Sequence, residues 1–165
     1  MTDTLQRLIE ALRDELQQYG EMLALLDQQQ AQVCARVADE LLATVTLLQE
    51  QGAVMQGARR QREECRAAVA SALGLDEAAP FKEVIPQLPA SFRPLLQALV
   101  DENNDLLRRV QQRVRQNHFL LNRSMELMQD VIVSLVPQSR SLTYGQAGIM
   151  TSPALPARTF YEAVG

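Results

Sequence analysis

The chain has no tryptophan, and phenylalanine and tyrosine together make up only 4% of it. Large rings dominate core energetics where they occur, so here burial falls to Leu, Val, Ile, Met and Ala. The single histidine, His118, has no acidic residue three positions before it, and the Glu-x-x-His pattern of di-iron bundles is therefore missing. Gly-rich phosphate loops and nucleophile elbows are also missing, which leaves a catalytic reading with nothing to stand on and no cofactor to expect. The two cysteines, Cys34 and Cys65, lack metal-type spacing. Uninterrupted apolar runs such as Leu23–Leu26 and Val131–Val133 are short, far below the roughly 20 residues a bilayer needs. The start, Met1-Thr2-Asp3-Thr4, is acidic with no signal-type apolar stretch, so a cytoplasmic protein without membrane insertion is expected. A net charge of −4 and a pI of about 5.1 argue against a general nucleic-acid binder, which needs a basic face.

What the chain does hold is helix formers, chiefly Ala, Leu, Gln, Glu and Arg. An all-α fold follows. Thr2, Asp3 and Thr4 offer N-cap oxygens, and a first helix over about 3–35 is expected. Leu5, Leu12, Tyr19, Leu26 and Val33 stand seven apart. Ile9, Leu16, Leu23 and Val37 form a companion column, with Gln30 as its polar member. This is a heptad pattern of the coiled-coil kind. Beyond Val37 the phase jumps to Leu41, Leu42, Val45 and Leu48. The jump predicts a chain reversal between Ala35 and Asp39, because one unpartnered helix of that length would leave its stripe bare.

A second helix is expected over about 38–73, ended by Gly74 at C′. Its Arg59–Arg66 run reads as a solvated face near a helix C-terminus, where positive charge is favourable. The connector, 74–90, carries Pro80, Pro86 and Pro89 beside Phe81, Val84, Ile85 and Leu88. It should fold over the end of the rod, with one helical turn.

The third long helix is expected over about 91–136. Ser91 is its candidate N-cap and Pro94 falls in its first turn. No glycine or proline follows until Pro137 closes it. Val100, Leu107, Val114, Leu121, Met128 and Leu135 form one column, with Leu99, Leu106, Leu120 and Leu127 beside it. Leu96, Asn103, Val110, Asn117, Ser124 and Val131 form a third, placed at the edge of the apolar face. Its asparagines would fix register at some cost in stability. Asp105 with Arg109 offers an i,i+4 ion pair. The architecture read from these pieces is an elongated antiparallel three-helix bundle or coiled coil, residues 1–137. After it comes a Gly/Pro-broken tail, 138–165, whose apolar anchors include Leu142, Tyr144 and Ile149. That tail suits a segment that orders on a partner, or else an unordered terminus.

The order of the pieces is distinctive: a heptad-rich first helix, a second ending in Arg59–Arg66, a Pro-containing connector, a long helix with Asn103-Asn104, then Tyr144-Gly145-Gln146-Ala147-Gly148. Over about residues 5–148 this resembles the FlgN-type flagellar export chaperones. It departs from that pattern at Val37, where the family often has an acid, and in lacking a lysine early in helix 2. The resemblance implies a cytosolic chaperone of the flagellar type III export system that uses no nucleotide itself. Its expected partners are hook-associated proteins 1 and 3, the hook–filament junction proteins, together with the export gate and the export ATPase.

Two sites are expected. The longer third helix should overhang the hairpin, so Leu121, Met128, Val131 and Leu135, with Leu142 and Ile149 of the tail, are candidate client-binding residues. Met128 suits adaptable contact. Gly145 and Gly148 permit a turn that would hold the Tyr144 ring outward, and the resemblance implies that Tyr144, with these glycines, contacts the export gate. Alternatively its ring folds back near Val136. A structural coiled-coil adaptor is the competing class.

Overall fold

The computed structural model describes residues 2–135, the Leu135 side chain excepted. Four helices appear in order: α1 Thr2–Ala35, α2 Ala38–Ala72, α3 Phe81–Gln87 and α4 Arg93–Leu135. No strand occurs among the described residues. The expected C-terminal tail lies outside them.

The two hairpin helices end in the same way. At the first reversal Arg36 takes the left-handed conformation, φ 58°. The Val37 N–H bonds the Gln32 carbonyl at 3.2 Å and the Arg36 N–H bonds the Val33 carbonyl at 3.3 Å. At the second, Gly74 has φ 73°, with Leu75 N–H on Ala70 at 2.9 Å and Gly74 N–H on Ser71 at 3.0 Å. Both are Schellman endings, which satisfy carbonyls the helix leaves orphaned. Glycine adopts this backbone freely. Arginine does so at a cost of about 1 kcal/mol, and the turn at 36 therefore carries no glycine to mark it.

The connector forms a two-turn helix rather than the single turn expected. Pro80 caps it, its carbonyl accepting from Glu83 and Val84 at 2.9 and 3.1 Å. Pro86 is the sixth residue of this helix, so the bond its N–H would make to the Lys82 carbonyl is missing. Ser91 does not cap α4. Residues 90–92 form a turn, the helix begins at Arg93, and the Leu96 N–H bonds the Phe92 carbonyl at 3.0 Å. Arg93 reaches back to the Leu88 carbonyl at 2.7 Å. That bond and the turn together set the start two residues later.

α1 is the spine. α2 packs antiparallel on it and α4 parallel to it, but among the described residues no Cα of α2 comes within 8 Å of a Cα of α4. The α2 and α4 backbones therefore stand further from each other than either does from α1, although at the α3 end their side chains share one core. The contacts explain the splay. Glu15, Gln18 and Met22 of α1 meet α2, whereas Leu12, Leu26 and Gln30 meet α4. On a helix wheel those two faces lie roughly 75° apart, somewhat wider than the roughly 60° of a closed triangle of helices.

This arrangement also corrects the columns. On α1, the buried partner of Leu5–Val33 is Leu8, Glu15, Met22 and Gln29, while Leu16, Leu23 and Gln30 are half-buried. A helix covered on two sides buries the column between them, polar members included. On α4, the column Leu96, Asn103, Val110 and Asn117 is not the edge but the buried centre. The Leu106/Leu120 and Val100/Leu121 columns flank it, half-buried.

Candidate partner-binding site

One end of the rod is sealed. Leu5, Leu8, Leu12, Val69, Val84, Leu88 and Leu96, drawn from all four helices, form one core there, with Phe81, Phe92, Leu75 and Cys65 packed against it. A second, smaller core lies halfway along, built from Tyr19, Met22, Leu26, Leu48 and Val110.

Charged residues are part of the sealing. The Arg62 Nε donates to Glu15 Oε2 at 2.9 Å, and the Tyr19 hydroxyl donates to Glu15 Oε1 at 2.8 Å. The Arg62 guanidinium also lies over the Phe81 ring, 5.7 Å from its centroid. Burial, the largest single cause, would lower the Arg62 pKa, but the bond to Glu15 and the nearby charges of Glu15 and Glu63 together outweigh it and the net shift is upward. Burial first, then the bond to Glu15, raises that of Tyr19. Arg66 donates to the carbonyls of Glu77 and Ala79, pinning the connector. The Arg59–Arg66 run is thus not wholly a solvated face: Arg59 and Arg60 are exposed, but Arg62 and Arg66 turn inward as fasteners. On the surface of α4, Asp105 pairs with Arg108 rather than with Arg109.

The register of α4 is set by its two asparagines. Asn103 Nδ2 donates to the Leu12 carbonyl at 3.0 Å and Asn117 Nδ2 to the Leu26 carbonyl at 2.7 Å, each 91 positions along the chain. Carried upward, that offset brings Ala35, the end of α1, level with about Glu126. Leu127–Leu135 then project beyond the hairpin by about 13 Å at ~1.5 Å per residue.

On this projection Met128 is 65% and Val131 54% exposed, and Met125, Leu127, Ile132 and Val133 stand open beside them. Leu121, just below, is half-buried and therefore shared with the rod. Leu135 ends the helix, and Leu142, Tyr144, Gly145, Gly148 and Ile149 lie outside the described residues. So many large apolar side chains exposed together make this end a candidate interaction surface.

The model of the FlgN protein family matches residues 1–152. The chain belongs to the FlgN family. Comparison with curated proteins and with solved structures gives no match. As a FlgN-type chain it is a flagellar export chaperone, a component of flagellar assembly and type III export. FlgN is a chaperone family rather than an enzyme family.

Two further facts bear on this FlgN-type chain. Among the described residues no group of His, Cys, Asp and Glu is placed to hold a metal, and no helix is long and apolar enough to cross a membrane. His118 is exposed, its Nδ1 3.3 Å from Asn122 Nδ2. Met125, Leu127, Ile132 and Val133 did not emerge from the heptad columns as client residues. Their signal was nonetheless in the sequence, because Val131-Ile132-Val133 puts apolar side chains on successive faces of a helix, which a one-sided stripe never does.

Proposed function

We propose that this chain is a cytosolic chaperone that holds the C-terminal helices of hook-associated proteins 1 and 3 and keeps them from assembling prematurely. It then delivers them to the export gate, with the export ATPase as a further contact. The observation that supports this reading most is the projecting end of α4, whose apolar side chains have no cover among the described residues. The competing coiled-coil adaptor needs a free heptad seam. Here the columns of α1 are consumed by α2 and α4 of the same chain.

The client arm is tested by Val131→Asp. The side chain is exposed, so the melting temperature should stay within the range of ordinary surface changes, about 0.5 kcal/mol. Binding of hook-associated protein 1, read by titration calorimetry, should weaken beyond detection. Client affinity at the wild-type value would end this assignment. The gate arm rests on Tyr144 and on Gly145 and Gly148, which follow it in the sequence. Tyr144→Ala should leave client affinity unchanged and weaken binding to the export-gate protein by about 2 kcal/mol if the ring is a hot spot. Gate affinity that does not move would return Tyr144 to a local role beside Val136.

A further inference from the structure

Charge is unevenly shared along α4. From Leu106 to Met125 lie five of the chain's sixteen basic residues, Arg108, Arg109, Arg113, Arg115 and Arg123, and none of its twenty acidic ones. Acids close the stretch at both ends, with Asp101, Glu102 and Asp105 before it and Glu126 and Asp130 after it. Arg113 turns to α1 and pairs with Asp27 at 2.8 Å. Arg108 and Arg123 have only local partners, Asp105 and Glu126, in pairs exposed on both sides. Such pairs are worth little in water and leave both guanidinium groups available. Arg109 and Arg115 are exposed and have no acidic partner among the described residues.

An aromatic ring stands among these arginines. Phe119 is 69% exposed, whereas the other described phenylalanines, Phe81 and Phe92, are packed against the sealed core. Its face follows from Asn117, whose amide bonds α1 at Leu26. Two residues turn a helix by about 200°, so Arg115 and Phe119, two positions either side of Asn117, both lie on the side of α4 away from α1. Arg108, two positions before the buried Val110, shares that outer face. Arg115 and Arg123 each stand about one turn from the ring. The projecting end does not account for this exposure. By the 91-position offset Phe119 is level with Gln28, well within the length of α1.

We propose that this outer face of α4 docks an acidic helix of a partner protein, with the Phe119 ring seated among its side chains and Arg108, Arg115 and Arg123 on its carboxylates. An exposed aromatic ringed by arginines has the composition of interface anchors. Arg108 and Arg115 are seven residues apart, about 10.5 Å along the axis. A helix laid alongside, with carboxylates at seven-residue spacing, meets both. The bordering acids set the length of the occupant. From Arg108 to Arg123 the strip runs about 22 Å, about four helical turns. A long polyanion or a bilayer overruns it and meets Asp101, Glu102, Glu126 and Asp130, whose like charge repels it. A short acidic helix avoids them. The surface is separate from the client-binding end and does not depend on that reading.

The experiment uses the full-length chain and, as probe, a labelled Ala-rich helical peptide of roughly three heptads with Glu at two positions in each, read by fluorescence anisotropy. The peptide should bind, and its affinity should fall about tenfold between roughly 0.05 and 0.5 M NaCl. Arg108→Glu combined with Arg115→Glu should weaken binding about tenfold or more. That variant should instead take up the same peptide with Lys in place of Glu. Phe119→Ser should cost about fivefold or more. Arg60→Glu, at an exposed arginine of α2, should stay within about twofold, as should Val131→Asp at the client end. Melting temperatures should hold, because every altered side chain is exposed. If the charge reversals lower them, Arg108→Gln with Arg115→Gln supplies the same test. Failure of the Glu peptide to bind at low salt, or an equal loss in Arg60→Glu, would overturn the proposal. So would duplex DNA or phosphatidylglycerol vesicles binding more tightly than the peptide through the same arginines. Self-association of the free chain that the double charge reversal abolishes would overturn it too, by making a second copy the occupant.

Discussion

At the α3 end of the rod, Leu8 and Leu96 are wholly buried among side chains from every helix; at the other end, Ile132 and Val133 have more than half their surface in water. The same helix, α4, passes through both environments. Near its start it is held by α1 and α3 and by the Arg93 bond to Leu88. Past residue 126 it has outrun α1 and nothing described covers it. One end therefore holds the fold together and the other is free to take a partner without disturbing it. Variants at the two ends should separate cleanly into those that unfold the protein and those that do not.

The sharpest contrast is Leu12→Ala against Met125→Ala. Leu12 is buried in the sealed core, and its truncation should cost about 3 kcal/mol through lost burial and the cavity left behind. Met125 is exposed, and its truncation should fall within about 0.5 kcal/mol. Urea unfolding of the free protein reads both. Equal losses would mean that the projecting end is part of the core.

The ion pair that helps to seal the α3 end comes next. Glu15→Ala takes away the buried partner of Arg62, leaving it only the more exposed Glu63, and should cost about 3 kcal/mol. The double variant Glu15→Leu with Arg62→Met replaces both charges by apolar groups of similar size, and should recover most or all of that loss. If it does not, the pair contributes more than it costs to bury. Acid bears on the same region through Glu63, which ion-pairs with Arg62 and Arg66. Burial would raise the Glu63 pKa, but the bonds to the two arginines prevail and it lies below its usual value of 4.5. The unfolded chain thus takes up the proton first. The stability Glu63 contributes is complete above about pH 4.5 and disappears as pH falls through the lower folded-state value. Unfolding midpoints measured from pH 6 down to about pH 3 should show a loss that Glu63→Gln removes.

How much of this could be read from the sequence depended on which interactions repeat. The first reversal was legible because a phase jump in a heptad pattern has few causes, even though Arg36 rather than glycine makes the turn. Gly74 marked the second reversal directly. The Glu15–Arg62 pair was hidden because both residues look ordinary: one polar member of a mixed column, and one arginine of four in a charged run. Only the placement of α2 brings them together, across 47 residues. The centre of the α4 face was misplaced for a related reason. Two asparagines made the column of Leu96 and Val110 look peripheral, when in fact it is the seam. The splay of α2 from α4 left no trace in any single helix, since it is a property of which faces of α1 are used. The projecting end was legible in outline, from the lengths of the helices, and the run Val131-Ile132-Val133 would have sharpened it.

The smallest expected effect tests that seam. Asn103 is buried, and its Nδ2 bonds the carbonyls of Leu12 and Leu99, both of which lie inside helices and can be satisfied there. Its Oδ1 is buried with no partner. A stranded acceptor costs about 1–3 kcal/mol, while a bond to a carbonyl that already has a partner returns little. Asn103→Leu should therefore stabilise the free protein, by about 1 kcal/mol after allowing for the tighter fit. Asn117 is the comparison that makes the result interpretable. It too has a stranded Oδ1, but its Nδ2 serves Gln29 Oε1 at 2.9 Å as well as the Leu26 carbonyl. Asn117→Leu strands Gln29 in exchange for relieving itself, and should give no gain. The test is a rise in urea midpoint for the first variant and none for the second, at unchanged slope. A fall in both would mean that the amide donors outweigh the unpaired oxygens and that the seam is held by its polar residues. A rise in Asn103→Leu accompanied by a lower slope would indicate that α4 has gained a second register on α1. In that case the asparagine is kept for specifying one alignment, at the expense of stability.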